Sequence, residues 1–361
     1  MKKLKITLIF ISIVFIVYII KNIFFGIRIS EEQQINLALS IDRAIEGCLK
    51  VYDIQDSWIR RSIITRKDSD INKNVKLIRV PKDLPFSVLN LAITKSVSDS
   101  GGKIFTGEEV SKGNTLIVTA GYDDIVIDSL VLIKDGKLTY KKGKIALIID
   151  DFGNDNSELI KEYLRFPEKI TFAVIPGNKY SKEIGKSAFE NGFEVIIHLP
   201  MESDQPQEKG ESIVLKGKMD RKNVENIINL SIKELPMARG VSNHMGSKTT
   251  EDAVLMKLLA DVLKRKGFYF IDCLTSNKSK AFEIFKKSKM RVLKRDVFLD
   301  NEENESVILS QLNELMKIAK ENGKAVGIGH STKGITLKIL QGEIPKMYKK
   351  GFEFVFASEI L

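Results

Sequence analysis

Three histidines and two adjacent aspartates are the residues of this chain best suited to chemistry. His198 stands in VIIHLPME, His244 in VSNHMGS and His330 in GIGHST, and the chain holds no other histidine. Asp150 and Asp151 close the apolar run IALIIDDFG. A buried strand has no packing use for two acids at its end. One carboxylate with neutral imidazoles is a ligand set suited to zinc or a similar divalent ion. A second carboxylate beside the ion takes a proton from its bound water. One aspartate of the pair therefore reads as a ligand and its neighbour as a base. Other acids keep the same company. Glu202 follows His198 by four residues, Asp272 lies in FIDCLT, and Arg295, Asp296 and Asp300 lie in KRDVFLDN. For Arg295 and Asp296 a buried ion pair is an equal alternative to a role in the site.

The elements that must position these residues follow from the hydrophobic pattern. From Lys144 onward, strand and helix alternate. The strands read as IALIID, ITFAVIP, EVIIHLP, ARGVSNHMG, FYFIDCLT, RVLKRDVFLD, KAVGIGH and FEFVFAS. DRKNVENIINLSIKEL is a helix capped by Asp220 and stopped by Pro236. TEDAVLMKLLADVLKRKG opens on Thr250, buries Val254, Leu255, Leu258, Leu259 and Val262, and closes at Gly267. ESVILSQLNELMKIAKENG closes at Gly323. Seven or eight strands with helical crossovers predict a parallel α/β barrel. A doubly wound sheet is the alternative, but no G-x-G-x-x-G follows the first strand. Each histidine stands at or just past the C-terminal end of a strand, where such a barrel gathers its site.

Ahead of the barrel, residues 30–140 read as a small α+β accessory domain. It opens with an amphipathic helix capped by Ser30, and Asp135-Gly136 marks a hairpin turn between VLIK and KLTY. Residues 1–29 read as an uncleaved signal anchor. MKKLK gives the basic cytoplasmic flank, ITLIFISIVFIVYII carries no charge, and YIIKNIFFG offers no cleavage signal. The expected location is the cytoplasmic membrane, crossed once, with everything beyond the anchor outside the cytoplasm. The 361 residues carry 57 Lys+Arg against 47 Asp+Glu, a net charge of +10. The surplus is spread out, with a cluster at KKSKMRVLKR that reads as a solvated face or as an attraction for anionic lipid or cell-wall polymer. Nucleic-acid motifs are missing from the sequence. Cys48 and Cys273 fall in different regions, and Cys273 reads as a small buried hydrophobe.

As a set, IIDDFG, HLPMES, NHMGS, FIDCLTS, RDVFLDN and GIGHS resemble, in that order, the divergent polysaccharide deacetylases of bacteria. The resemblance covers roughly residues 144–361. It implies a deformed (β/α) barrel and metal-dependent removal of N- or O-acetyl groups from an extracytoplasmic polysaccharide. It makes Asp150 the base, Asp151 a metal ligand and His330 the acid that protonates the leaving group. The typical second motif has two histidines four residues apart. Here His198 matches but Glu202 stands at the partner position, so His244, beside Asn243, is the candidate for the missing imidazole. Glu202 is then a fourth ligand or a residue that orients His198. Asp272 and Asp296 are supporting residues, and Arg295 is a candidate partner of the base. The rival reading, from a different class, is a glycan-binding scaffold of the cell envelope that has lost catalysis.

Overall fold

The computed structural model describes residues 30–65, 72–205 and 212–361. The expected anchor, residues 1–29, lies outside the described residues; among those described, no helix is long and apolar enough to cross a membrane. The chain divides into two compact units between Thr139 and Tyr140.

In the first unit, helix Glu31–Val51 starts with a capping box. Gln33 N donates to Ser30 Oγ (3.2 Å), and Ser30 N donates back to Gln33 Oε1 (2.8 Å). Its Ile41, Ile45 and Leu49 pack into the core together with Leu89 and Ile93 of helix Phe86–Asp99. Both helices lie on a mixed five-stranded sheet: β1 (Ile59–Ile64), β2 (Lys73–Pro81), β3 (Lys103–Val110), β4 (Thr115–Tyr122) and β5 (Ile125–Asp135), in the order β1-β2-β5-β4-β3. The hairpin expected at Asp135-Gly136 does not form. β2 and β4 already pair with both edges of β5, so KLTY has no edge to return to. Asp135 Oδ1 instead accepts Lys137 N at 2.8 Å, and the chain turns away.

The second unit is built on a parallel sheet: β6 (Gly143–Phe152), β7 (Thr171–Val174), β8 (Glu194–Met201), β9 (Gly240–Met245), β10 (Tyr269–Asp272), β11 (Val292–Lys294), β12 (Val297–Phe298), β13 (Lys324–His330) and β14 (Phe352–Val355). Its order is β11-β10-β9-β8-β7-β6-β13-β12, with β14 beside the first half of β6. The expected deformed barrel of seven or eight strands takes the form of a curled parallel sheet of nine. The single strand expected at RVLKRDVFLD splits in two. β11 pairs with β10 at one end of the sheet and β12 with β13 at the other. Only Arg295 and Asp296 separate them, with Arg295 N donating to Asp272 O and Asp296 N to Val326 O. The covalent chain thus spans the gap that a hydrogen-bonded ladder would close.

Helices cover the outer face. Helix Arg221–Glu234 is capped by Asp220, as expected. Helix Ala253–Lys266 is capped by Asp252, not Thr250, because Asp252 Oδ1 accepts both Val254 N and Leu255 N. Thr250 belongs to a separate short helix, Ser247–Glu251, and Val254 in the first turn is 73% exposed rather than buried.

Candidate metal centre

Period-two alternation decides which side chains enter the curled sheet. Ala146, Ile148, Ile196, Tyr269, Ile271, Val326 and Ile328 form the inner apolar cluster. Counting on by twos from these residues brings Asp150, His198, Cys273 and His330 to the same face at the strand ends. Ser242 and His244 join them from β9. Asp151 is out of phase with Asp150 and belongs on the outer face. A register shift between β6 and β7, between Ile149 and Phe152, reverses this. Asp151 takes a left-handed backbone with φ +67°. Such a bulge re-aims a side chain at the cost of local strain, and here it brings two adjacent carboxylates to one site.

The centre of the cluster is Asp151 Oδ1, 2.9 Å from His244 Nδ1 and 3.3 Å from His198 Nε2. Burial pushes the Asp151 carboxyl up, but the hydrogen bonds from His198 and His244 outweigh it and hold the group well below the usual carboxylate range. His198 Nδ1 lies 2.7 Å from Ser242 Oγ. With an Nδ1–H donating to the hydroxyl, loss of the Nε2 proton would leave that nitrogen's lone pair facing the aspartates, ready for an ion. Asp151, His198 and His244 offer three donor atoms within 4.8 Å of one another. Tetrahedral donors about 2.1 Å from an ion sit about 3.4 Å apart, so this set fits a zinc-like divalent ion.

Asp150 is 3% exposed, its Oδ2 is 3.6 Å from His198 Nε2, and its Oδ1 has no hydrogen-bond partner among the described residues. Burial raises its pKa, with the Asp151 charge adding to that and the nearby imidazoles opposing it. His330 Nε2 lies 4.0 Å from Asp151 Oδ2 on the open side. Its Nδ1 is 2.8 Å from Asp300 Oδ1, while Asp300 Oδ2 accepts His330 N and Thr336 Oγ1. Burial pulls the His330 pKa down, but Asp300 more than reverses this and leaves it raised. Phe298 stacks on the imidazole at 4.9 Å between centroids.

The other expected site residues stand apart. Glu202 is not among these ligand atoms. Its Oε2 accepts Gly217 N at 2.9 Å, which joins Glu202 to Gly217. Arg295 does not pair with Asp150 or with Asp296, which is exposed. It donates to Cys273 O (2.7 Å) and Leu274 O (3.0 Å) and lies over the Phe298 ring. Asp272 points to the outer face and accepts Leu274 N, Ser279 Oγ and Phe282 N. Asn243 accepts Cys273 N and donates to Met245 O. Met245 and Leu274 also have positive φ, +52° and +50°. Arg295, Asp272 and Asn243 thus brace the strained turns behind His244 and Cys273 rather than touching the centre. The sequence reading gave no role to three residues: Ser242, two before His244 and so on the same face; Asp300, five after Arg295; and Cys273, whose Sγ lies 3.8 Å from Asp150 Oδ2.

A family model described as divergent polysaccharide deacetylase matches residues 147–361. The uncharacterized protein YibQ of Escherichia coli (strain K12) is 37% identical over 205 residues, 55% of this chain and 61% of that protein. The chain thus spans less than two thirds of YibQ's length. An uncharacterized protein of Haemophilus influenzae (strain ATCC 51907 / DSM 11121 / KW20 / Rd) is 29% identical over 228 residues, 63% of this chain and 79% of that protein. In solved structures, the uncharacterized protein ATU2773 from Agrobacterium tumefaciens C58 superposes with a TM-score of 0.57 at 20% identity, over 61% of this chain and 90% of that one. That likeness is one of fold.

Proposed function

Because the chain belongs to the divergent polysaccharide deacetylase family, we propose that it is a metal-dependent hydrolase that removes acetyl groups from an extracytoplasmic polysaccharide. The observation that carries this reading is the asymmetry of the aspartate pair: Asp151 bonded to two imidazoles, Asp150 buried beside it with a raised pKa and an unpaired oxygen. Asp151, His198 and His244 would hold the ion, zinc or a similar divalent metal. Bound there, it supplies Lewis acidity, polarising an acetyl carbonyl and acidifying water. Asp150 is the base. A carboxylate held above its usual range takes a proton more readily, and its orphaned oxygen has a lone pair to take it with. His330 hands a proton to the departing amine or alkoxide from Nε2, while Asp300 holds Nδ1 and sets the ring's orientation.

The residues before Ser30 act, in this proposal, as a membrane anchor that leaves both units outside the cytoplasm. A reporter active only outside the cytoplasm, fused after Leu361, is expected to be active and to stay with membranes through a salt wash. Release of a shortened soluble protein would argue for cleavage instead.

The function is tested by metal content and acetate release from a panel of acetylated glycans. About one divalent ion per chain and release of acetate are expected. Glu202 at the partner position leaves a scaffold as the rival. Tight glycan binding by the metal-loaded protein without any acetate release would establish that rival.

A further inference from the structure

His198 belongs to two sets of ligand atoms. Asp150, His198 and Cys273 form the second, again with one donor from each residue within 4.8 Å, and all three are buried. Cys273 follows β10 on the inner face, in contact with the apolar cluster. Its Sγ is 3.8 Å from Asp150 Oδ2, which is in turn 3.6 Å from His198 Nε2. A buried cysteine is ordinarily an inert hydrophobe. This one borders a carboxylate that is 3% exposed and whose Oδ1 has no hydrogen-bond partner among the described residues. A carboxylate withdrawn from water is costly to leave so poorly paired, and the thiol beside its other oxygen, Oδ2, is a weak donor.

We propose that Asp150, His198 and Cys273 make a second, deeper ion position that takes thiophilic divalent cations such as cadmium. Sulfur beside one nitrogen and one oxygen selects softer ions than the two nitrogens and one oxygen of the Asp151 set. An imidazole nitrogen has a single lone pair, so His198 Nε2 serves one position at a time and the two exclude each other. Binding exchanges the thiol proton for the ion, and the proton leaves to solvent. Ions with little affinity for sulfur, such as manganese, gain nothing from such a ligand. An ion in the deeper position also occupies Asp150. This last consequence, inhibition by soft metals, rests on the proposed function; the site itself does not.

The test needs no substrate. Cadmium added to the whole protein is expected to produce near-ultraviolet thiolate-to-cadmium absorption. The band should vanish in Cys273→Ser and survive in Cys48→Ser and His244→Ala. Manganese binding should show the reverse: lost in His244→Ala, unchanged in Cys273→Ser. Cadmium should release bound manganese one for one, read by the return of the free-ion magnetic resonance signal. X-ray absorption at the cadmium edge of the wild type, which depends on no variant folding, should show a sulfur neighbour. Absence of sulfur there, a band that persists in Cys273→Ser, or cadmium and manganese bound together would each overturn the proposal. A band lost in His244→Ala would do so too, since it would mean one mixed site. Failure of acetate release by the cadmium-free, manganese-loaded protein, with the cadmium band present once cadmium is added, would sink the deacetylase reading alone.

Discussion

Each unit buries a cluster of charge, and the two clusters differ in kind. In the first, Lys76 Nζ lies 2.5 Å from both Asp42 and Asp128 and 3.7 Å from Glu46. Lys76 is 2% exposed and Asp128 is fully buried. Burial pulls the lysine's pKa down, but the carboxylates overrule it and keep the ammonium charged. In the second cluster the partners of Asp150 and Asp151 are imidazoles. Among the described residues, both clusters leave one carboxylate oxygen without a hydrogen-bond partner, Asp128 Oδ2 and Asp150 Oδ1. The orphaned oxygen alone therefore does not distinguish a site from a structural pair; the neighbours beside it do. An ammonium has no lone pair to give and no proton to spare at neutral pH, so the first cluster can only hold helix Glu31–Val51 to β2 and β5. An imidazole can exchange its proton for an ion.

The largest expected effects break this contrast at the aspartate pair. Asp151→Asn, His198→Ala and His244→Ala should each abolish measurable manganese binding at the Asp151–His198–His244 set and, with it, hydrolysis. Asp150→Asn should keep the metal yet lower acetate release by about 10²–10⁴-fold, the usual contribution of a general base. Metal content by atomic emission beside acetate release separates the two. If Asp150→Asn and Asp151→Asn strip the metal equally, the division of labour is wrong.

Next comes the lysine. Lys76→Met leaves Asp128 and Asp42 without their cation and should cost about 3–5 kcal/mol, whereas removing both charges in Lys76→Met/Asp128→Leu should recover most of it. Denaturant unfolding of the whole protein reads the loss, and metal content should stay unchanged. A loss below about 1 kcal/mol would class this cluster with exposed ion pairs.

How far these clusters are legible in sequence depends on the residue. Three histidines at strand ends bring His198, His244 and His330 together, because alternation on a parallel sheet is local. The same parity, applied to Asn243 and Asp272, sends them to the outer face. Asp151 at the centre defies parity, and only the bulge at Ile149–Phe152 explains it. Bulges depend on the pairing of two strands, which no single segment displays. The split of RVLKRDVFLD is hidden for the same reason, since its two halves serve opposite ends of the sheet. Lys76 is unreadable in another way. Its carboxylates lie 34 and 52 residues away, and a lysine at an inward strand position reads simply as a break in the pattern.

Asp300 offers a smaller effect that sharpens the contrast within the site. It touches His330 but no ion set. Asp300→Asn should keep metal binding and lower hydrolysis about 10–100-fold, as loss of a residue that orients a functional imidazole does. The loss should be greater on amides than on esters, because an amine leaving group needs the proton more. Equal losses on both substrate classes would make Asp300 a fold residue only.

The smallest expected effect lies at the rim of the lysine cluster. Arg61 Nη2 meets Glu46 Oε2 at 2.7 Å and its Nε meets Oε1 at 3.0 Å, with the arginine side chain 42% exposed. The Arg61 hydrogen bond, partly opposed by burial and aided by the Lys76 charge, holds the Glu46 carboxyl below its ordinary value of 4.5. A carboxyl depressed on folding adds stability that is complete above its unfolded pKa and is lost as pH falls through its folded pKa. Solvent screening limits the amount to at most about 1 kcal/mol. Glu46→Gln should therefore unfold at a slightly lower temperature than wild type at pH 7. That gap should close on acidification, as wild-type Glu46 takes up its proton and loses the same charge. Melting curves of both proteins across the acid range check this, and a gap that widens with falling pH would show that Glu46 is not held by Arg61 in the way its geometry implies.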